Sequence, residues 1–382
     1  MNAKKILFVS HEGSITGAPI FLVKLLKHLK AERPKYTIAI IFSENGDVIS
    51  LLEKDGFKVF VSEKRGKSNS MIRKFANRLA HYFFYLKVLA SYRPDLVYSN
   101  TSVNFSEVIF AGLLRFPVLM HVHEGGNYTA TYSYRLKISC FFAKRIIVGS
   151  HYVNSVVNSL TKRNGVVVHN GLDSQYDHPI KQRLINSPLK IGILGTIEFN
   201  KGQLVALEAM HLLVNRGLSA KLTIAGKIAN YEYYARLTSF LKLNSLDKFV
   251  DFVGVVPDAG VFLNSLDLLV VPSFDEAFPT VILEAFSTST LVLASDVGGI
   301  SEMIQDKVNG LLFKAGDSVM LADVLEKVIL DESLLQTLPF AAKFILKEEF
   351  DVRTTNNRIA INLDEMLDEA ATRSEPPRHC AG

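Results

Sequence analysis

Leu268-Leu269-Val270-Val271-Pro272-Ser273-Phe274-Asp275-Glu276-Ala277-Phe278-Pro279-Thr280-Val281-Ile282-Leu283-Glu284-Ala285 reads as a buried strand, a loop and the start of a helix. The apolar run is short and unbroken, as in a strand covered on both faces. Pro279 suits the first turn of the helix, where a missing N–H costs nothing. Glu276 then falls in the loop and Glu284 within the helix. The free amides of that first turn favour an anion such as a phosphate. Glu276, beside them, suits the hydroxyls of a sugar.

The same strand, loop and helix alternation extends in both directions. Lys190 to Leu194 is a strand, followed by the loop Gly195 to Gly202 and an amphipathic helix from Gln203 to Arg216, stopped by Gly217. Leu222 to Ala225, Val250 to Val253 and Leu291 to Ala294 are further strands. An earlier cycle runs through Ile6 to Ser10, Thr37 to Phe42, Lys58 to Val61, Asp95 to Tyr98 and Val118 to Val122. Helical periods cover Ala18 to Lys30 and Val48 to Lys54. The stretch from Ser174 to Pro188, with Asp177, Pro179, Asn186 and Pro188, reads as the linker between the cycles. The pattern predicts an α/β protein of two doubly wound parallel sheets, with ligands at the carboxyl ends of the strands.

The 382 residues suit two domains. With 48% hydrophobic and 21% charged residues, a wholly disordered chain is excluded. Two cysteines, Cys140 and Cys380, make neither a disulfide scaffold nor a cysteine zinc site, and fit a reducing cytoplasm. No run of about 18 uncharged apolar residues occurs to span a membrane. The first residues lead into a strand and do not read as a signal peptide. Residues 1–180 carry 24 basic and 12 acidic side chains; the remainder carries 19 and 26. Such asymmetry points to two domains with different partners.

Five elements follow in order. Gly195 to Lys201-Gly202 contains a glycine and a lysine at loop spacing, and Asn170-Gly171-Leu172-Asp173 precedes it. Glu276 and Glu284 are separated by seven residues. Gly298-Gly299-Ile300-Ser301-Glu302 and Asn309-Gly310-Leu311-Leu312 come after them. This set, from about residue 165 to 315, resembles the family-4 retaining glycosyltransferases of the GT-B fold, with their G-R-x4-K-G, N-G-x-D, E-x7-E, G-G-x-x-E and N-G-L-L elements. The resemblance implies two Rossmann-like domains facing a deep cleft. It implies that a UDP- or GDP-sugar donor is bound by Gly195, Thr196, Lys201, Ala277, Phe278, Pro279, Thr280, Val281 and Glu284. Lys201 is then the cation for the leaving diphosphate, Glu284 the ribose contact and Glu276 the contact to the donor sugar. No D-x-D pair follows a strand, so no cofactor and no metal are expected. Thr196 stands where the family has arginine, Pro279 where glycine is common, and Ser289 and Leu291 where glycine and proline are frequent.

In the first half, Ser10 to Pro19 resembles the family's N-terminal glycine-rich turn, with Gly17 the residue expected near the donor phosphate. His121-Val122-His123-Glu124-Gly125-Gly126 follows a strand, and the resemblance makes His123 the contact to the donor sugar. A zinc reading of this H-x-H-E lacks a third distant ligand. Asn100, Thr101 and Glu124 are expected on the acceptor side; for Asn100 and Thr101 a plain turn is the competing reading. Lys58 to Arg93 holds nine basic residues against Glu63, and Met71 to Ala90 is helical. Arg73, Lys74, Arg78 and Lys87 make a basic amphipathic helix suited to an anionic membrane surface, against the plainer reading of a core helix with a solvated face. No nucleic-acid motif accompanies the charge.

The expected division is 1–178 for an acceptor-side domain, 179–350 for a donor domain, 351–370 for a helix crossing back and 371–382 for a loose tail. The resemblance implies hexose transfer from a nucleotide sugar to a glycan or lipid-linked acceptor, in a cytoplasmic or peripheral membrane protein. Two alternatives compete: a non-catalytic nucleotide-sugar binder, kept open by Thr196, and a GT-B epimerase, which the spaced glutamates oppose. A phosphorylase would need an anchored cofactor lysine, for which there is no signal.

Overall fold

The computed structural model describes residues 3–14, 17–62, 71–126, 131–173 and 188–374, and of residues 72–74, 371, 373 and 374 the backbone alone. The chain divides into two units, one of residues 1–169 with 353–382, the other of residues 170–352. The expected linker, apart from Pro188, lies from 174 to 187 outside the described residues, and the contacts divide the chain at 169/170.

The N-terminal unit holds a seven-stranded sheet in the order β3-β2-β1-β4-β5-β6-β7. Its strands are β1 (Lys4–Ser10), β2 (Tyr36–Phe42), β3 (Lys58–Val61), β4 (Leu96–Ser99), β5 (Val118–Val122), β6 (Arg145–Val148) and β7 (Val166–Val167). Every pairing is parallel. The order reverses between β1 and β4, so their C-terminal ends flank a crevice. Right-handed crossovers put α1 (Gly17–Glu32) and α2 (Asp47–Lys54) on one face. They put α3 (Met71–Tyr92), α4 (Phe105–Leu113) and the helix Ser133–Phe142 on the other.

The C-terminal unit repeats the plan with six parallel strands, β10-β9-β8-β11-β12-β13. They are β8 (Leu189–Leu194), β9 (Ala220–Ala225), β10 (Val250–Gly254), β11 (Leu268–Val271), β12 (Leu291–Ser295) and β13 (Leu311–Phe313). Both sheets bury continuous apolar runs, such as Ile6 to Val9 and Leu291 to Ala294. The expected pair of doubly wound parallel sheets is present.

The last helix, Val352–Ser374, belongs from Arg353 with the N-terminal unit and ends four residues beyond the expected 351–370. Ile359, Leu363, Met366 and Leu367 pack with Leu22, Leu25, Leu26 and Leu29 of α1 in one core. Asp364 accepts from Arg33, Lys35 and Tyr36 across the same seam. Residues 375–382 of the expected tail lie outside the described residues. Leu363→Ala empties a fully buried site and should destabilise the N-terminal unit by about 2–5 kcal/mol. Urea denaturation checks this; a loss below about 1 kcal/mol would mean the helix is not part of that core.

Candidate functional site

At the order reversal of the second sheet, β8 and β11 pair in parallel. Their loops, 195–202 and 272–279, therefore leave the sheet side by side. Phe274 donates its N–H to the Asn200 carbonyl at 2.8 Å, and Asn200 Nδ2 returns a bond of 2.8 Å to the Asp275 carbonyl. Gly202 is left-handed (φ 65°), and a Cβ there would overlap the Pro272 carbonyl oxygen. The close crossing requires glycine.

This crossing places Lys201 Nζ 2.7 Å from Glu276 Oε1. Ser273 Oγ donates to the same oxygen at 2.7 Å. A third loop joins in, with Gly299 N–H donating to the Glu276 carbonyl at 2.9 Å. Glu276 is buried and Lys201 half-buried. Gly195, Lys201, Ser273, Glu276 and Val281 line one small cavity. A Cβ on Gly195 would meet nothing within 4 Å, so this side of the loop is open.

Pro279 is the N-cap of the helix Thr280–Ser287, one position ahead of the expected first turn, and gives no side-chain cap bond. The first-turn amides thus have no capping side chain. Thr280 is exposed, Val281 and Ala277 half-buried, and Phe278 buried with its ring 5.6 Å from that of Phe350. Glu284 is half-buried on this helix. Thr196 Oγ donates to Glu198 at 2.7 Å, so the hydroxyl in the arginine's place is held by its own loop. Ser289 is left-handed (φ 54°), which explains why glycine suits that position. Ser273 and Asn200 are the residues sequence reasoning missed. For Ser273 the signal was its place three residues before Glu276.

In the N-terminal unit the loops after β4 and β5 meet. The rings of His121 and His123 stack with centroids 3.8 Å apart, and Phe21 meets both edge-on. Tyr98 Oη is 2.7 Å from His121 Nδ1. The Nε2 atoms of both histidines are buried without a partner. Burial pulls His123 down to about 4 and His121 well below the usual range, the latter helped by the neighbouring His123. Both imidazoles are therefore neutral at pH 7. Glu124 takes the amides of Ser102 and His123, at 3.2 and 3.1 Å. Burial still raises its carboxyl above the ordinary value.

Asn100 and Thr101 are buried and used within the fold. Asn100 Nδ2 bonds the Ala18 carbonyl and Thr101 Oγ1 caps the turn Ser102–Asn104. Gly17 opens α1, and a Cβ there would meet nothing within 4 Å. Elsewhere in this turn Gly13 is approached by Gly46 of the loop after β2, and a Cβ on Gly46 would overlap the Gly13 backbone. Ile15 and Thr16 lie outside the described residues, as do Lys64, Arg65 and Lys67 and the side chains of Arg73 and Lys74. Arg78 and Lys87 are exposed.

Two families match in succession. Residues 15–176 match "Glycosyltransferase Family 4" and residues 175–343 match "Glycosyl transferases group 1". The capsular polysaccharide biosynthesis glycosyltransferase CapM of Staphylococcus aureus is 24% identical over 76% of this chain and 85% of its own length. A Campylobacter jejuni α-1,4-N-acetyl-D-galactosaminyltransferase, named for a diNAcBac-PP-undecaprenol-linked GalNAc substrate, is 25% identical over 89% of this chain and 92% of its own. Among solved structures, Anabaena Alr3699/HepE with UDP and glucose superposes with a TM-score of 0.80 at 23% identity, over 95% of this chain and all of its own.

The buried histidines predict a pH dependence. With His123 at about 4 when folded and about 6.5 when unfolded, the unfolded chain binds more protons in the window between. Stability should therefore fall as pH drops from 6.5 towards 4 and stop falling from this source below it. His123→Gln should reduce that slope in urea titrations. An unchanged slope would remove burial as the cause.

Proposed function

The chain belongs to the family-4 glycosyltransferases of the GT-B fold, and we propose that it moves a hexose, with retention, from a UDP- or GDP-sugar to a glycan or lipid-linked acceptor. The observation that carries this reading is the Lys201–Glu276 contact at the β8–β11 reversal, beside the helix Thr280–Ser287. A nucleotide diphosphate leaves with two negative charges, and a fixed cation with helix N-terminal amides lowers the barrier to its departure. Lys201 supplies the cation. Glu276, held by Ser273 and Lys201, accepts from donor-sugar hydroxyls, and Glu284 from the ribose. When the diphosphate arrives, Lys201 exchanges part of its contact with Glu276 for the anion.

Retention fits attack on the face the diphosphate leaves, with a diphosphate oxygen taking the acceptor hydroxyl's proton. Neutral His123 suits this chemistry, since it offers a hydrogen bond to the sugar without adding charge. The reading needs no metal. The names of the similar proteins support surface polysaccharide or glycolipid synthesis, and UDP as the nucleotide. We place the reaction in the cytoplasm, at the inner face of a membrane.

Lys201→Ala and Glu276→Gln should each lower transfer by about 100-fold or more while the fold survives, the scale of losing one transition-state donor. Activity should be unchanged by EDTA. Wild-type-like turnover by both variants, measured as nucleotide release with acceptor present, would sink the assignment. Nucleotide choice has its own test in thermal melting. UDP at 100 times its dissociation constant should stabilise the fold by about 2.7 kcal/mol, and a shift by GDP alone would reassign the base.

A further inference from the structure

Thr196 stands where the family has arginine, and its side chain does not replace one, because its hydroxyl proton is spent on Glu198 at 2.7 Å. Its main chain is placed differently. Gly195 N–H donates to the Ala225 carbonyl at 3.0 Å and Ile197 N–H to the Lys227 carbonyl at 2.8 Å, so the β8–β9 ladder continues past both strands. Both bonds run toward β9. In extended chain the polar groups of successive residues leave on opposite edges. Thr196, between these two, therefore presents its N–H and C=O on the other edge, where β11 lies. Gly226 fixes the same direction from the β9 side. A Cβ there would lie 1.8 Å from the Gly195 oxygen, so that carbonyl points at Gly226. In a trans peptide the N–H across the bond, that of Thr196, points the opposite way.

The two groups on the β11 edge are used differently. The Thr196 carbonyl accepts from Gln203 Nε2 at 2.8 Å. The Thr196 N–H has no partner among the described residues. Gln203 opens the helix Gln203–Asn215, directly after Lys201 and Gly202, and is fully buried. Its Oε1 is buried without a partner. A buried amide satisfied at one end only costs stability. Packing alone would be better served by an apolar side chain of that size, so the bond to Thr196 is what glutamine adds. On the edge that the N–H faces, the loop after β11 brings Ser273 and Glu276 to the cavity they share with Gly195 and Lys201.

We propose that the Thr196 main-chain N–H is a further donor to the leaving diphosphate, and that Gln203 is the positioning residue that holds its peptide, with Gly226 behind it. As the bond from the sugar carbon to the diphosphate oxygen breaks, its electron pair passes to the diphosphate, and the N–H bonds the oxygen without giving up its proton. A dipole fixed in advance needs no reorganisation at that moment. Lys201 then supplies charge and Thr196 direction, where an arginine would supply both. The inference rests on the transfer reading and adds to it a donor and its holder.

The test measures UDP and GDP binding to the full chain by calorimetry. Thr196→Ala keeps the N–H. Lactic acid incorporated at the same position by nonsense suppression keeps the methyl side chain and replaces the N–H with an ester oxygen. The ester should bind the nucleotide about 10- to 100-fold more weakly than Thr196→Ala, the scale of one hydrogen bond to a charged group. Gln203→Leu should weaken binding by about tenfold while its ligand-free melting temperature stays level or rises, a split that a purely structural role does not produce. A fall of melting temperature together with affinity would remove Gln203 from the proposal. Lys201→Ala is the reference. If it loses the nucleotide while the ester binds as Thr196→Ala does, the inference is overturned and the transfer reading stands. If Lys201→Ala and the ester both bind normally, or the wild type binds neither nucleotide, both fall.

Discussion

The parallel pairing of β8 with β11 is the constraint on which the C-terminal site depends. Leu268 pairs with Ile191 and Leu269 with Gly192, so the two strands run level although 70-odd residues of chain separate them in sequence. Gly192 leaves room for the buried Leu266 side chain, whose end a Cβ there would overlap. Once the strands are level, their loops must cross, and Gly202 beneath the Pro272 carbonyl lets them do so. Lys201 and Glu276 are then neighbours by construction. A buried carboxylate needs such partners, since an unpaired charge out of water is strongly disfavoured. Ser273 and Lys201 meet that need while leaving the lysine partly open.

The N-terminal unit solves its corresponding turn by different means. Two neutral imidazoles stack, braced by Phe21 and Tyr98. Their Nε2 atoms are unpartnered at the ends of rings that burial keeps uncharged. Orphaned buried nitrogens are uncommon, and a ligand hydroxyl is one way to satisfy them. One unit therefore carries a point charge at the ends of its strands and the other neutral hydrogen-bonding groups.

Alternation and apolar runs made the strands legible, and β3, β5 and β11 begin and end where the runs do. Glu276 and Lys201 were legible as loop residues, but their contact was not, because pairing register is a tertiary fact. Asn100 and Thr101 are only partly used by the fold: Asn100 Nδ2 bonds the Ala18 carbonyl and Thr101 Oγ1 accepts from Val103 N–H, while Asn100 Oδ1 is buried with no hydrogen-bond partner among the described residues. The return of the last helix to the N-terminal unit rests on long-range packing that no local pattern encodes.

That return also sharpens the charge asymmetry. The N-terminal unit with its returning helix holds 28 basic and 15 acidic side chains, and the C-terminal unit 15 and 23. The acids of the helix do not spread over the unit. Asp364 meets Arg33 and Lys35, Glu365 meets Arg145, and Glu369 meets Lys144 and Arg145. Bases near the last helix are thus compensated. Those on α3 and Ser133–Phe142 have no acid on their own helices. The excess of the N-terminal unit is therefore carried by bases away from the seam of the last helix.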